Sequence, residues 1–285
     1  MSGKCSTGWI RAAGVVLTVL WAVVPTLALA EAPHPWQMWM QPAASPVAER
    51  FHEFHHFLLI LITCISVFVL ALLLYVIVRF RASANPTPSK TSHNTVIEIL
   101  WTVIPVIILV VIAVPSFRLM YFADKVPEAD MTLKVTGHQW FWNYEYPDQK
   151  VAFDSYIIPL NELKPGQKRL LDVDNPLVLP VDTTVRLLFV GTDVMHSWYM
   201  PSFGVQLYTV PGRVNESWVK VTKEGQYYGQ CNQICGVNHG FMPISVKVVS
   251  KAEFAKWIED AKKKFAASNE PAPIGPLAAA FATTD

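Results

Sequence analysis

Between Cys231 and Met242 the chain sets two thiols, an imidazole and a thioether within twelve residues: Cys231, Cys235, His239 and Met242. A loop this compact can turn all four toward one point. His196, thirty-five residues before Cys231, ends a strand-like segment and can close the same site from a neighbouring loop. Soft sulfur ligands combined with imidazole select copper, whereas carboxylates would suit harder ions. A mononuclear blue-copper site needs one cysteine, two histidines and a weak axial methionine. The second cysteine suggests two copper ions sharing two thiolates, which spreads an unpaired electron over both metals and keeps the geometry nearly fixed on reduction. Small rearrangement favours fast electron transfer, so the donor set suggests a relay. Other chemistries fit some of the same residues. An outside compartment allows a Cys231–Cys235 disulfide, and structural zinc takes two cysteines and two histidines, although it has little use for Met242. Taken alone, Met242 reads as a core side chain.

These donors sit in a stretch, 131–249, whose pattern is that of short strands. Thr132 to Thr136, Glu216 to Lys220 and Ile244 to Val248 alternate apolar with polar, and Val185 to Val190 is a more continuous apolar segment. Turn signals at Pro147-Asp148, Asn175-Pro176, Pro211-Gly212 and Glu224-Gly225 separate them. Short strands divided by such turns predict a β-sandwich or barrel. Trp142, Tyr144 and Tyr146 alternate and are expected to pack inside it. Ser250 and Glu253 form a capping box that predicts a helix over 250–265, and the Ala- and Pro-rich residues 266–285 read as a disordered tail.

The first half of the chain belongs to another solvent. Of 285 residues, 52% are hydrophobic and 16% charged, too apolar for an ordinary soluble protein. Phe57 to Val78 carries no charge and, as a helix, spans about 33 Å, enough for the hydrocarbon core. Leu100 to Phe117 is a second such run, interrupted by Pro105 and Pro115, which spanning helices tolerate when neighbours cover the freed carbonyls. The loop between them holds Arg79, Arg81 and Lys90, which places it on the cytoplasmic side and both termini outside. Lys4 and Arg11, an apolar run from Ala12 and the small residues Ala28-Leu29-Ala30 read as an export signal, which argues for the same orientation. The expected division is a signal peptide over 1–30, an N-terminal segment and two-helix hairpin over 31–122, an outer domain with its closing helix over 123–265, and the tail. Cys5 falls in the leader and Cys64 in an apolar run, so the four cysteines do not read as a disulfide framework. A net charge of +1 offers nothing to nucleic acid.

From Trp36 to about Trp257 the chain resembles subunit II of the haem–copper cytochrome c oxidases. The residues that carry the likeness are the hairpin, Gly137-His138-Gln139-Trp140-Phe141-Trp142-Asn143-Tyr144-Glu145-Tyr146, Asp193-Val194-Met195-His196-Ser197-Trp198, Pro211-Gly212-Arg213 and the cysteine loop. The resemblance implies an all-β, cupredoxin-like Greek-key barrel outside the membrane, following the α-helical hairpin. It also implies a binuclear copper centre, CuA, held by His196, Cys231, Gln233 through its carbonyl oxygen, Cys235, His239 and Met242. Electrons from cytochrome c would enter at Trp140, and Gln139, Glu145, Asp154, Asp174 and Asp193 match the family's docking surface. They would leave for haem and the oxygen-reducing site in subunit I, coupled to proton pumping, with subunit III as a further partner. Residues 119–249 contain 13 acids and 11 bases, so any acidic docking face must arise by clustering.

Two further positions follow from the resemblance. Glu98, in Glu98-Ile99-Leu100-Trp101, is a candidate for the mouth of a proton pathway in subunit I; by position alone it reads equally as a residue flanking the membrane. Gln233 stands where the family usually has Glu, whose carboxylate helps to hold a magnesium ion against subunit I. An amide oxygen ligates Mg²⁺ without contributing charge. No Cys-x-x-Cys-His occurs, so haem is expected in subunit I and not in this chain. The expected location is a bacterial-type inner membrane.

Overall fold

The structure is a computed structural model that describes residues 32–265. The expected export signal over 1–30 and the tail over 266–285 lie outside the described residues. Two helices come first, α1 (Pro46–Arg79) and α2 (Thr95–Asp124). Pro46 occupies the first turn of α1, where its missing N–H costs nothing, and the Ser45 side chain accepts the Ala48 N–H at 3.1 Å. Glu49 in the first turn and Arg79 in the last both complement the helix dipole. In α2 the side chain of Asn94 accepts the Ile97 N–H at 3.2 Å, and Pro105 and Pro115 sit within the helix. At ~1.5 Å per residue both helices are longer than a bilayer's hydrocarbon core. Their apolar spans bury nothing inside the molecule, and Phe68, Leu73, Val110 and Phe117 are exposed. A solvent of lipid and partner protein explains that surface; water does not.

The remaining chain folds as two five-stranded sheets. The strands are β1 (Met131–His138), β2 (Phe141–Tyr146), β3 (Val151–Ser155), β4 (Leu177–Pro180), β5 (Thr184–Gly191), β6 (His196–Met200), β7 (Val205–Thr209), β8 (Asn215–Lys220), β9 (Gly225–Cys231) and β10 (Pro243–Val249). One sheet runs β3-β2-β1-β5-β8 and the other β4-β10-β9-β6-β7. β1 with β5, and β10 with β4, are the parallel pairs; the others are antiparallel. The inward-facing residues Leu133, Val135, Trp142, Tyr144, Tyr146, Leu187, Phe189, Trp198, Ile244 and Val246 form the core between the sheets. This is the cupredoxin-like arrangement the resemblance implies, and the alternating aromatics of β2 do pack inside it. A closing helix, α3 (Lys251–Phe265), begins with the expected reciprocal cap. The Glu253 N–H donates to Ser250 Oγ at 3.2 Å, and the Ser250 N–H donates to Glu253 Oε2 at 3.3 Å. Phe254 and Trp257 of this helix then cover Tyr146.

The outer domain is seated on α1 at its N-terminal end. Ser45 is fully buried, and besides capping the helix its hydroxyl donates to the Phe203 carbonyl at 2.6 Å. The Ala44 N–H donates to Ser202 O, and the Thr222 N–H donates to Ala44 O. On the other side of the joint the Arg50 guanidinium lies 3.4 Å from the centre of the Phe122 ring, whose edge meets Trp218.

Candidate metal centre

β6 begins at His196 and β9 ends at Cys231, and the two strands are paired with Trp198 opposite Cys231. That register brings a residue from the first motif to the start of the second. After Cys231 the chain turns, and a short helical turn over His239–Phe241 returns it into β10. The ligand atoms of His196, Cys231 and Cys235 lie within 4.8 Å of one another, all buried; among the described residues no other His/Cys/Asp/Glu group gathers three this closely. The two sulfurs are 3.9 Å apart and unbonded. Cys235 Sγ is 3.6 Å from His239 Nδ1 and 3.6 Å from Met242 Sδ, and the Gln233 carbonyl stands 3.4 Å from Cys231 Sγ. The structure therefore brings together all six residues expected to hold metal.

The polar groups of this cluster fit a soft metal ion. His196 Nδ1 is buried without a hydrogen-bond partner, a condition that costs roughly 1–3 kcal/mol unless a ligand satisfies it. Its other ring nitrogen, Nε2, donates to Asp193 Oδ1 at 2.8 Å, which leaves the Nδ1 lone pair bare. Burial pushes the Cys231 thiol up, but the His196 imidazole and the Ser197 and Gln233 backbones outweigh it and bring it down to about 7. Burial and the neighbouring Cys231 push Cys235 up to about 12. Two thiols, two imidazoles, a thioether and a carbonyl in an apolar enclosure form a donor set that matches copper. A metal that displaces the Cys235 proton would remove the cost of burying that thiolate.

Trp140 lies half-buried at the tip between β1 and β2, and its indole N–H donates to the Cys235 carbonyl at 3.1 Å. The Gln139 side-chain amide donates to the same oxygen at 2.8 Å. Two glycines allow this closeness. A Cβ on Gly137 would lie 2.9 Å from the His196 ring, and one on Gly236 would lie 2.8 Å from the Trp140 ring, at a φ of +121° that disfavours side chains anyway. Neither glycine is picked out by sequence reasoning beyond its place in a motif, nor is the bond from His196 to Asp193.

The acids expected on a docking surface divide into two places. Glu145, Asp154 and Asp174 line one concavity at the outer edge of β2 and β3, with Tyr156. Lys134 pairs with Glu145 at 2.9 Å, and Asn143 donates to Asp154 at 2.8 Å. Burial raises the Asp174 carboxyl above its usual range, against hydrogen bonds from the Tyr156 and Asn175 backbones. Asp193 stands apart, at the metal cluster. Glu98 lies in the first turn of α2, where its carboxylate accepts the Asn94 N–H at 3.2 Å.

Comparison with known proteins places the two halves of the chain in matching descriptions. Residues 131–249 match the cytochrome c oxidase subunit II periplasmic domain, and residues 33–119 match the corresponding transmembrane domain. A probable cytochrome c oxidase subunit 2 of Rickettsia bellii is 54% identical over 257 residues, covering 90% of this chain and 95% of the relative. The cytochrome c oxidase subunit 2 of Oenothera berteroana is 47% identical over 242 residues, covering 82% and 94%. Among solved structures, the periplasmic domain of subunit II of cytochrome oxidase from Bradyrhizobium japonicum is 49% identical and covers 50% of this chain and 99% of that one, with a TM-score of 0.46.

Proposed function

The chain belongs to the cytochrome c oxidase subunit II family, and we propose from that membership that it is the electron-accepting subunit of a bacterial inner-membrane oxidase. It takes electrons from cytochrome c and passes them to haem and the oxygen-reducing site of subunit I, a reaction coupled to proton pumping; subunit III is a further neighbour. Two copper ions supply a one-electron relay when bound. Cys231, Cys235, His196, His239, Met242 and the Gln233 carbonyl are the residues that would hold them. The observation that carries this reading is the buried, unpartnered His196 Nδ1 facing two thiols. The neighbours of that nitrogen are thiols, weak hydrogen-bond partners that leave it available to a metal ion.

The other residues then have roles set by position. Trp140 joins the outer surface to the Cys235 carbonyl through a single hydrogen bond, a short route by which an electron arriving at the indole reaches a metal ligand. Glu145, Asp154 and Asp174 are grouped on one concave face that also holds Lys150 and Lys262, with Lys134 paired to Glu145, so a basic partner would meet these acids singly rather than as a strongly negative field. The side chain of Gln233 is a neutral candidate for the magnesium position, and Glu98 for the mouth of the proton pathway.

The test is metal content and electron-spin spectrum of the purified oxidase. Two copper ions per subunit II, beyond those of subunit I, are expected, with an unpaired electron shared by both. Cys235→Ser should lower the count to one or none and change the spectrum. One copper in the unaltered protein, or tightly held zinc, would overturn the binuclear assignment.

A further inference from the structure

Asp193 resembles a docking acid in sequence, yet its carboxylate is almost fully occupied inside the protein. Oδ1 accepts His196 Nε2–H at 2.8 Å and the Val194 N–H at 2.6 Å, while Oδ2 accepts the Gln139 N–H at 2.6 Å. The His196 side chain is wholly buried and that of Asp193 is 31% exposed. Its neighbour Thr192 adds a parallel attachment, with backbone N–H and hydroxyl both donating to the Gly137 carbonyl. The loop before β6 is thus fastened to the end of β1 as well as to the metal ligand.

We propose that Asp193 is a positioning residue of the metal centre, fixing the tautomer and tilt of His196 and tying the Gln139–Trp140 tip to that same ligand. Only a carboxylate meets the geometry. Three N–H donors converge on two oxygens that both accept. An asparagine offers one accepting oxygen, and its NH₂ would face an N–H donor on the other side. Metal-bound imidazoles are oriented in this way by a carboxylate on the second ring nitrogen. Here the carboxylate has an additional attachment: Gln139 and Trp140 are held from one side by Asp193 and from the other by the Cys235 carbonyl. The surface where electrons arrive and the ligands that receive them are therefore positioned as one unit. This inference rests on the reading of the cluster as a copper centre.

The experiment compares Asp193→Asn with Asp174→Asn, which removes the same charge from the concave face, in the assembled oxidase. Three quantities are measured: copper retained after prolonged dialysis against a chelator, the copper electron-spin spectrum, and KM and kcat at low and high ionic strength. For Asp193→Asn copper affinity should fall by ~10- to 100-fold, the usual cost of losing such a partner, with a changed spectrum and a lowered kcat at every ionic strength. Asp174→Asn should keep copper and spectrum and raise KM only at low salt, because free charges are screened. Wild-type copper retention and spectrum in Asp193→Asn, with only a salt-dependent KM, would overturn the proposal and leave Asp193 a docking acid. If that variant does not accumulate, Asp193→Glu is read instead: its longer carboxylate should shift the spectrum, and an unshifted one counts against the proposal. An unaltered protein without copper at this site would overturn the underlying reading as well, and so is distinguishable from failure of Asp193 alone.

Discussion

Gln233 meets the cluster through its backbone, since its carbonyl lies 3.4 Å from Cys231 Sγ. The side chain is therefore free to serve a second site without altering the first. We expect Gln233→Glu to leave the copper spectrum unchanged while the oxidase retains more Mn²⁺, as a stand-in for Mg²⁺, after washing, because hard cations prefer anionic oxygens. Equal manganese retention would assign that site to subunit I and water; a changed copper spectrum would misplace the side chain. At this scale Gln233, which offers only its backbone carbonyl, came from the family resemblance alone, whereas Cys231, Cys235, His239 and Met242 were legible as candidate ligands because they lie within twelve residues. Asp193 was not. An aspartate three residues before a histidine is ordinary surface charge until its oxygens are seen to meet Gln139, 54 residues away in the chain.

Ser45 shows what a single hydroxyl does for an element. It accepts the Ala48 N–H, which starts α1, and donates to Phe203 O, which seats the outer domain. Ser45→Ala removes the cap and leaves a buried carbonyl unpaired, at a combined cost of roughly 2–4 kcal/mol. In the detergent-purified protein the melting midpoint of the outer domain should fall by roughly 5–15 °C; a fall of under 2 °C would mean that water replaces both bonds. The apolar run from Phe57 marks where α1 meets lipid but not where it begins, since its first turns carry Glu49, Arg50, His52 and Glu53. The start is written in Ser45-Pro46, an N-cap and a first-turn proline, rather than in hydropathy. β5 reads as a continuous apolar segment although its burial alternates, whereas β1, with one wet face, was readable from alternation, as its burial pattern bears out. β6 was not, because His196, Ser197, Trp198 and Met200 are all buried, and a strand covered on both faces has no period to detect.

For the molecule as a whole, the basic loop between the helices sets the direction of insertion. We expect Arg79, Arg81 and Lys90 to stay in the cytoplasm and the β domain therefore to lie outside. Above the labelling of the Cys64→Ser parent, which keeps Cys231 and Cys235, a membrane-impermeant maleimide should label Asn161→Cys in intact cells and Ser89→Cys only after permeabilisation; both positions are exposed. The reverse pattern would invert the assignment and with it the compartment of the metal cluster.

The joint between helices and sheets also fixes a height. The outer domain has two footings, the hydrogen-bonded seat around Ala44 and Ser45 and the Arg50–Phe122–Trp218 stack. A body on a single tether swivels freely; on two footings it can only rock about the line joining them. The first turns of α1 separate its apolar span from that seat, so with that span in lipid the cysteine loop would be carried at a set elevation above the bilayer. A partner confined to the membrane surface would then meet that loop at one level and one orientation, and its search would lose a dimension.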